Sequence, residues 1–282
     1  MNDIERRTLL GAAGIGAIAA LAKGGGGGGG PLDPPVGPIA PSGHTLDDIH
    51  NRIPTGSTLG AYDSRIPLVT PGIHNSGSYV LTRDINLSSS GTFTINADNV
   101  TLDLNGFNIR GGDSACVYVA GNGVVIRNGT LVGGARGLQM TGFGNYLVAE
   151  DLFIRDSVIA GIECINAVGV RIRRCTLARV GYGRVSTAAA TGILLSGAQS
   201  SSVEDCSVNM YILANTTPAL TVGISAGGSG LLVARNNVSH SSPVNGQAFA
   251  LNGIGVFREN SAINYANQYA VNGTWVNVPG NA

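Results

Sequence analysis

The sequence predicts an all-β chain, wound as a parallel β-helix solenoid behind a short N-terminal capping helix, and three observations carry that expectation. An alternating apolar run recurs, beginning at Val100, Val124, Leu147, Val170, Ser201, Leu231 and Val256, at spacings inside the roughly 20–50 residues that mark a repeat architecture. A glycine and a second apolar run usually follow (CVYVAG, GLQMTG, GIECIN, GILLSG, GISAG, FALNG, YAVNG), which gives two or more strands per repeat and little helical periodicity. The 43 glycines and 5% aromatic content suit many short strands joined by tight turns. A leucine-rich horseshoe would need a strict Leu-x-x-Leu-x-Leu frame, and the sequence has none.

Taken in order, residues 1–22 read as an export signal. Arg6 and Arg7 precede Thr8-Leu9-Leu10, and a Gly/Ala-rich run ends at Ala20-Leu21-Ala22, an A-x-A cleavage pattern. The run is short for a membrane span of about 20 residues, so no membrane span is expected once the signal is removed. Lys23 stands where a lipidated Cys would follow. Residues 23–43 are a glycine tract leading into a proline-rich one, a linker with nothing to pack. It lacks the Lys-Ser/Thr that a phosphate loop requires.

Residues 44–76 form the cap segment. Thr45-Leu46-Asp47-Asp48 resembles a capping box, Leu46, Ile49 and Ile53 fall on one helical face, and Pro54 ends the helix. Such a helix would cover the unpaired edge of the first coil. The stack itself is expected over 77–273, with 274–282 as a tail.

With a formal net charge of zero and 12% charged residues, the chain has no basic footprint for nucleic acid. The third position of each repeat, expected to face outward, reads Asp103, Arg127, Glu150, Arg173, Glu204, Ala234, Glu259; the next reads Leu104, Asn128, Asp151, Arg174, Asp205, Arg235, Asn260. Charges alternate in sign between coils about 4.8 Å apart, so Asp103, Arg127, Glu150, Arg173 and Glu204 are expected to form an exposed structural ladder. Read instead as catalytic pairs, Glu150 with Glu204 or Asp151 with Asp205 would lie about 9.6 Å apart with an arginine between them. That arginine would lower both acids, whereas a glycosidase needs one raised carboxyl.

NVTLDLNGFNIRG, VVIRNGTLVGG and LLVARNNVSH resemble coils of the right-handed parallel β-helix superfamily to which pectate lyases belong, in particular exported bacterial proteins of the sugar-hydrolysis-associated type. The twin-arginine-like start and TLDDIHNRI resemble secreted β-helix proteins of planctomycete-like bacteria. The resemblance covers about 77–273 and implies the fold. For activity it implies a polysaccharide lyase or glycoside hydrolase, if an enzyme at all, since the superfamily hosts many chemistries. The acidic Ca²⁺ ligands with a basic proton abstractor, or the spaced aspartates with Gly-His-Gly and Arg-x-Lys, that such activities imply are not seen.

Two groups of residues are candidates for a ligand. If Val117, Val119, Leu138, Met140, Ile162 and Cys164 point inward, then Tyr118, Gln139 and Glu163 form an outward polar strip with one aromatic, a composition that holds a sugar ring; a solvated β face is the plain alternative. Coils four and five are longer, and their surplus falls at one corner, in 180–192 and 210–223, followed by 239–248. Insertions are tolerated only at turns, so they would wall a groove carrying Tyr182, Arg184, Tyr211 and His240. The four cysteines have no metal spacing. Cys175 and Cys206 share a column and are expected to lie close, as free thiols or as an exported disulfide. No metal or cofactor is expected. The sequence leaves two function classes: an exported protein that binds or acts on a polysaccharide or other cell-envelope component, or a non-catalytic structural or interaction protein of the surface or periplasm.

Overall fold

The computed structural model describes residues 64–142, 146–182, 190–211 and 221–278, with backbone alone at 242–245 and 277–278. The expected signal, linker and capping helix, and Arg184, lie outside the described residues. Within them the chain is all-β, a single parallel sheet of nineteen strands that stacks on itself like a solenoid.

Each coil contributes three short faces. Gly77–Leu81, Val100–Asp103, the start of Val124–Val132, the start of Leu147–Arg155, Arg171–Arg173 and Ser202–Glu204 stack in register on the first face. Ile85–Asn86, Asn108–Arg110, Thr176–Val180 and Ser207–Met210, with the ends of the two longer strands, form the second. Phe93–Ile95, Ala115–Val119, Arg136–Thr141, Ala160–Ile165 and Ala190–Gln199 form the third. Thr221–Ala234, Asn237–Arg258 and Ser261–Val278 bend through successive faces without a break.

Alternation explains the core. Val100 and Leu102, Val124 and Ile126, Leu147 and Ala149, Val170 and Ile172 point inward from the first face. Val117, Val119, Leu138, Met140, Ile162, Cys164, Ile193, Leu195 and Ile224 do so from the third. Each large side chain buried this way contributes roughly 1.5–3 kcal/mol. The lumen narrows where the third face begins: Gly137, Gly161, Gly192 and Gly223 stand beside Ile154, Leu177, Val208 and Val238, and a Cβ at any of them would come within 2.4 Å of that neighbour.

Pairing reaches beyond the expected limits of 77 and 273. Ile66–Leu68 already stacks on Tyr79–Leu81, and its Pro67 is tolerated because an edge strand can lose one donor. At the other end Val276 still pairs with Val256. One register differs from expectation: Leu231 is opposite Gly255, and Ala234 opposite Arg258. The last run therefore starts one residue before Val256, on a glycine that an apolar pattern passes over. Glu259, expected to face outward, moves to the turn, and Asn260 is buried. Asn260 continues an inward column from Asn236: Asn236 N–H donates to Asn260 Oδ1 (2.9 Å), Cys206 N–H to Asn236 Oδ1 (3.0 Å), and Asn260 Nδ2 to Val233 O (2.9 Å). These amides satisfy buried backbone groups that would otherwise be costly.

Candidate functional site

From Val100 onward the turn between the first and second faces carries a left-handed residue at Asn105, Asn128, Asp151, Arg174, Asp205, Arg235 and Glu259, with φ of 51–60°. Asn and Asp adopt this conformation readily; for Arg it costs roughly 1–2 kcal/mol, which cross-coil ion pairs offset. Arg174 donates Nε and Nη2 to the two carboxylate oxygens of Asp151 at 2.8 Å each, and Arg235 does the same to Asp205 at 2.6 and 2.8 Å. These side-chain hydrogen bonds hold both aspartates below the usual carboxylate range.

Asp103, Arg127, Glu150, Arg173 and Glu204 stack in one column, but their contacts form three clusters and not one continuous ladder. Asp103 is held by Arg65 (2.8 Å) and Arg127 (3.4 Å), Glu150 by Arg173 (2.5 Å) and Arg174 (3.3 Å), and Glu204 by Arg235 (3.1 Å). The break follows from the left-handed turn, which brings Arg174 and Arg235 back over the acids of the preceding coil. Asp103 and Glu150 are buried under their partners and not exposed. Asp103 also accepts hydrogen bonds from Asn105 N–H and Asn128 Nδ2. All these acids are engaged in ion pairs, an arrangement suited to structure and unsuited to a general acid.

On the third face Tyr118, Gln139 and Glu163 are lateral neighbours. Glu163 is not the solvent-facing acid that the alternation suggested: it is 5% exposed, because Arg136 Nε (2.6 Å) and Gln139 Nε2 (2.8 Å) both donate to its Oε1 and cover it. Tyr118 Oη is bonded to Thr141 Oγ1 (3.1 Å). The strip spends its polar groups on itself.

Between the second and third faces the strands are separated by different numbers of residues, 156–159, then 181–189, then 211–220, of which 183–189 and 212–220 lie outside the described residues. The first residues of the two longer crossings are brought together. Tyr211 N–H donates to Val180 O (2.9 Å), the rings of Tyr182 and Tyr211 lie 5.7 Å apart at 45°, and Tyr182 is 41% exposed. The Arg179 guanidinium stands 4.8 Å from the Tyr182 ring, held by Asp156, which Arg155 also contacts at 3.0 Å. His240 is not part of this surface. It is buried and packs edge-on against Tyr265, with ring centroids 5.8 Å apart, because Met210↔His240 pairing turns it into the lumen.

A second feature was not singled out by the pattern. Phe153 stands 39% exposed on the second face in an open groove of about 450 Å³ lined by Gly106, Gly129, Thr130, Asp151, Leu152, Arg174 and Thr176. Leu152-Phe153-Ile154 is an unbroken apolar triplet, so only the buried state of its two flanks reveals that the ring points outward.

Three of the four buried thiols are held in the neutral form, while the hydrogen bond from Cys206 lowers Cys175. Burial pushes Cys116 and Cys164 up to about 12. Cys206 is also raised, by its hydrogen bond with Cys175 and by burial. Among the described residues no group of three or more His, Cys, Asp or Glu is placed to hold a metal ion, and no helix is long and apolar enough to cross a membrane. No family model matches the chain, and none of the curated proteins is significantly similar to it.

Proposed function

We propose that the chain is an exported right-handed parallel β-helix that binds a polysaccharide of the cell envelope or its surroundings without cleaving it. The observation that carries this reading is the Tyr182–Tyr211 pair. Two neighbouring aromatic faces, one of them 41% exposed, with a guanidinium alongside, combine an apolar platform for the C–H face of a sugar with donors for its hydroxyls. Binding is favoured over catalysis because Glu150, Asp151, Glu204 and Asp205 are each held by arginine, and a glycosidase needs a carboxyl that stays protonated.

The same ion pairing favours a second reading, a structural protein of the surface or periplasm. A glycan array probed with the purified chain separates the two. Saturable binding that falls about tenfold or more in Tyr182→Ala, the order expected from losing one stacking contact, supports the first. A flat response across neutral and acidic polysaccharides leaves the structural reading standing and removes the first.

A further inference from the structure

Two exposed aromatic sites bound the second face, and they are connected in only one direction. Along the stacking direction the Phe153 column offers no second ring: Asn108, Thr130, Phe153, Thr176, Ser207, Asn237 and Ser261 follow one another. Along the strand the surroundings differ. From Phe153 the chain runs through Arg155 to Asp156, Asp156 meets Arg179, and Arg179 lies over Tyr182, which packs against Tyr211. Thr176, beside Phe153, and Val180, whose carbonyl accepts from Tyr211 N–H, are four residues apart on a strand that bulges between Leu177 and Val180, where Arg179 is left-handed (φ 54°). At no more than about 3.3 Å per residue, and with the side chains added, the two aromatic sites stand on the order of 15 Å apart.

Resting on the glycan reading above, we infer that the ligand is a linear oligosaccharide several rings long that lies across the second face, parallel to the strands and perpendicular to the stack. Its ends stack on Phe153 and on Tyr182 with Tyr211. Between them lie hydrogen-bonding groups of both kinds, the Thr130 and Thr176 hydroxyls at the Phe153 end and the Arg155–Asp156–Arg179 cluster at the other. A disaccharide fits either platform alone; only a longer chain reaches both. The arrangement therefore reads length. A ligand laid along the stack would meet one platform or the other and never both.

The test is calorimetric titration of the full chain with linear gluco-, manno- and xylo-oligosaccharides of two to six residues. For the series that binds, affinity should climb about a hundredfold from trimer to hexamer, the gain expected when a second site is engaged by the same molecule. Phe153→Ala should bring the hexamer down to the trimer's affinity, Phe153→Trp should restore it, and Tyr182→Ala should weaken the hexamer as well. An unchanged melting temperature in each variant shows that the fold is kept. Affinity that levels off at the trimer, or a hexamer indifferent to Phe153→Ala, overturns the path across the face and leaves the glycan reading in place. If no series binds to the unaltered chain and the array is also flat, both fall together.

Discussion

The two turns that bound the second face are built on opposite terms. The one before it carries a left-handed residue in each coil from Asn105 to Glu259, and its side chains are tied across coils by the Asp151–Arg174 and Asp205–Arg235 pairs. The one after it has no common length, with 156–159 between the strands in one coil and 181–189 in the next, and carries the exposed Tyr182 and the half-buried Tyr211. Immediately beyond, the glycine column pins the chain again. The contrast separates what holds the stack from what varies in it: ladder pairing fixes the faces, one turn locks the register, and the other is left free to differ in length and side chains, which is where the proposed glycan contact lies.

The largest way to break this arrangement is to fill the narrow re-entry point. A Cβ at Gly161 would stand 2.3 Å from Leu177 Cδ2 and 2.8 Å from Gly192 O, so Gly161→Val should cost about 3 kcal/mol through overpacking, read as a lowered denaturant midpoint. Next is the locked turn itself. Asn128 has φ of 60° and donates to Asp103; Asn128→Val should cost about 2 kcal/mol and Asn128→Gly markedly less. Equal losses in the two variants would show that backbone conformation is not what this position supplies.

The ion pairs come third. Arg173→Glu sets an acid between Glu150 and Glu204 and removes a contact at 2.5 Å. The arginine is nearly half exposed, so after solvent screening the loss should be about 1 kcal/mol, visible at low salt and shrinking as salt is raised. A melting temperature unchanged at low salt would contradict it. The smallest effect is that of acid. Asp151 and Asp205 are held below their ordinary values by Arg174 and Arg235. Their contribution is therefore complete above the unfolded value of about 3.9 and is lost as pH falls through the lower folded value. Melting temperature should drop on going from pH 5 to below pH 4, and the double variant Asp151→Asn, Asp205→Asn should show a smaller drop. An identical drop in the double variant would place the acid sensitivity elsewhere.

The parallel stack was legible because each strand buries one side and leaves the other to solvent, which leaves an alternation, and seven runs repeating it leave little freedom of register. Alternation failed where a residue carries no hydropathy signal, at Gly255, and one step of slip moved Glu259 from the outward column, where Arg258 stands instead, to the turn. The columns of charge were readable as neighbours, yet not as contacts, since the left-handed turn that sends Arg174 back over Glu150 and Asp151 is set by backbone conformation. Burial of Glu163 was hidden for a related reason: Arg136, which covers it, precedes the apolar run from which the strip was aligned. Insertion length pointed to the corner where Tyr182 and Tyr211 meet. Phe153 was masked because an aromatic between Leu152 and Ile154 looks like core in any one-dimensional pattern.

The claim that the variable turn serves a ligand and not the fold is tested most directly by one thermal melt, recorded with and without the best-binding glycan, of a chain lacking 184–189 and carrying Tyr182→Ala. The cut ends before Ala190, which is buried and paired with Thr221, and leaves a crossing close in length to 156–159. The account predicts a melting temperature equal to that of the intact chain without glycan, and a glycan-induced rise that is present in the intact chain and lost in the shortened one. A shortened chain that melts several degrees lower on its own, or that the glycan still stabilises in full, would contradict it.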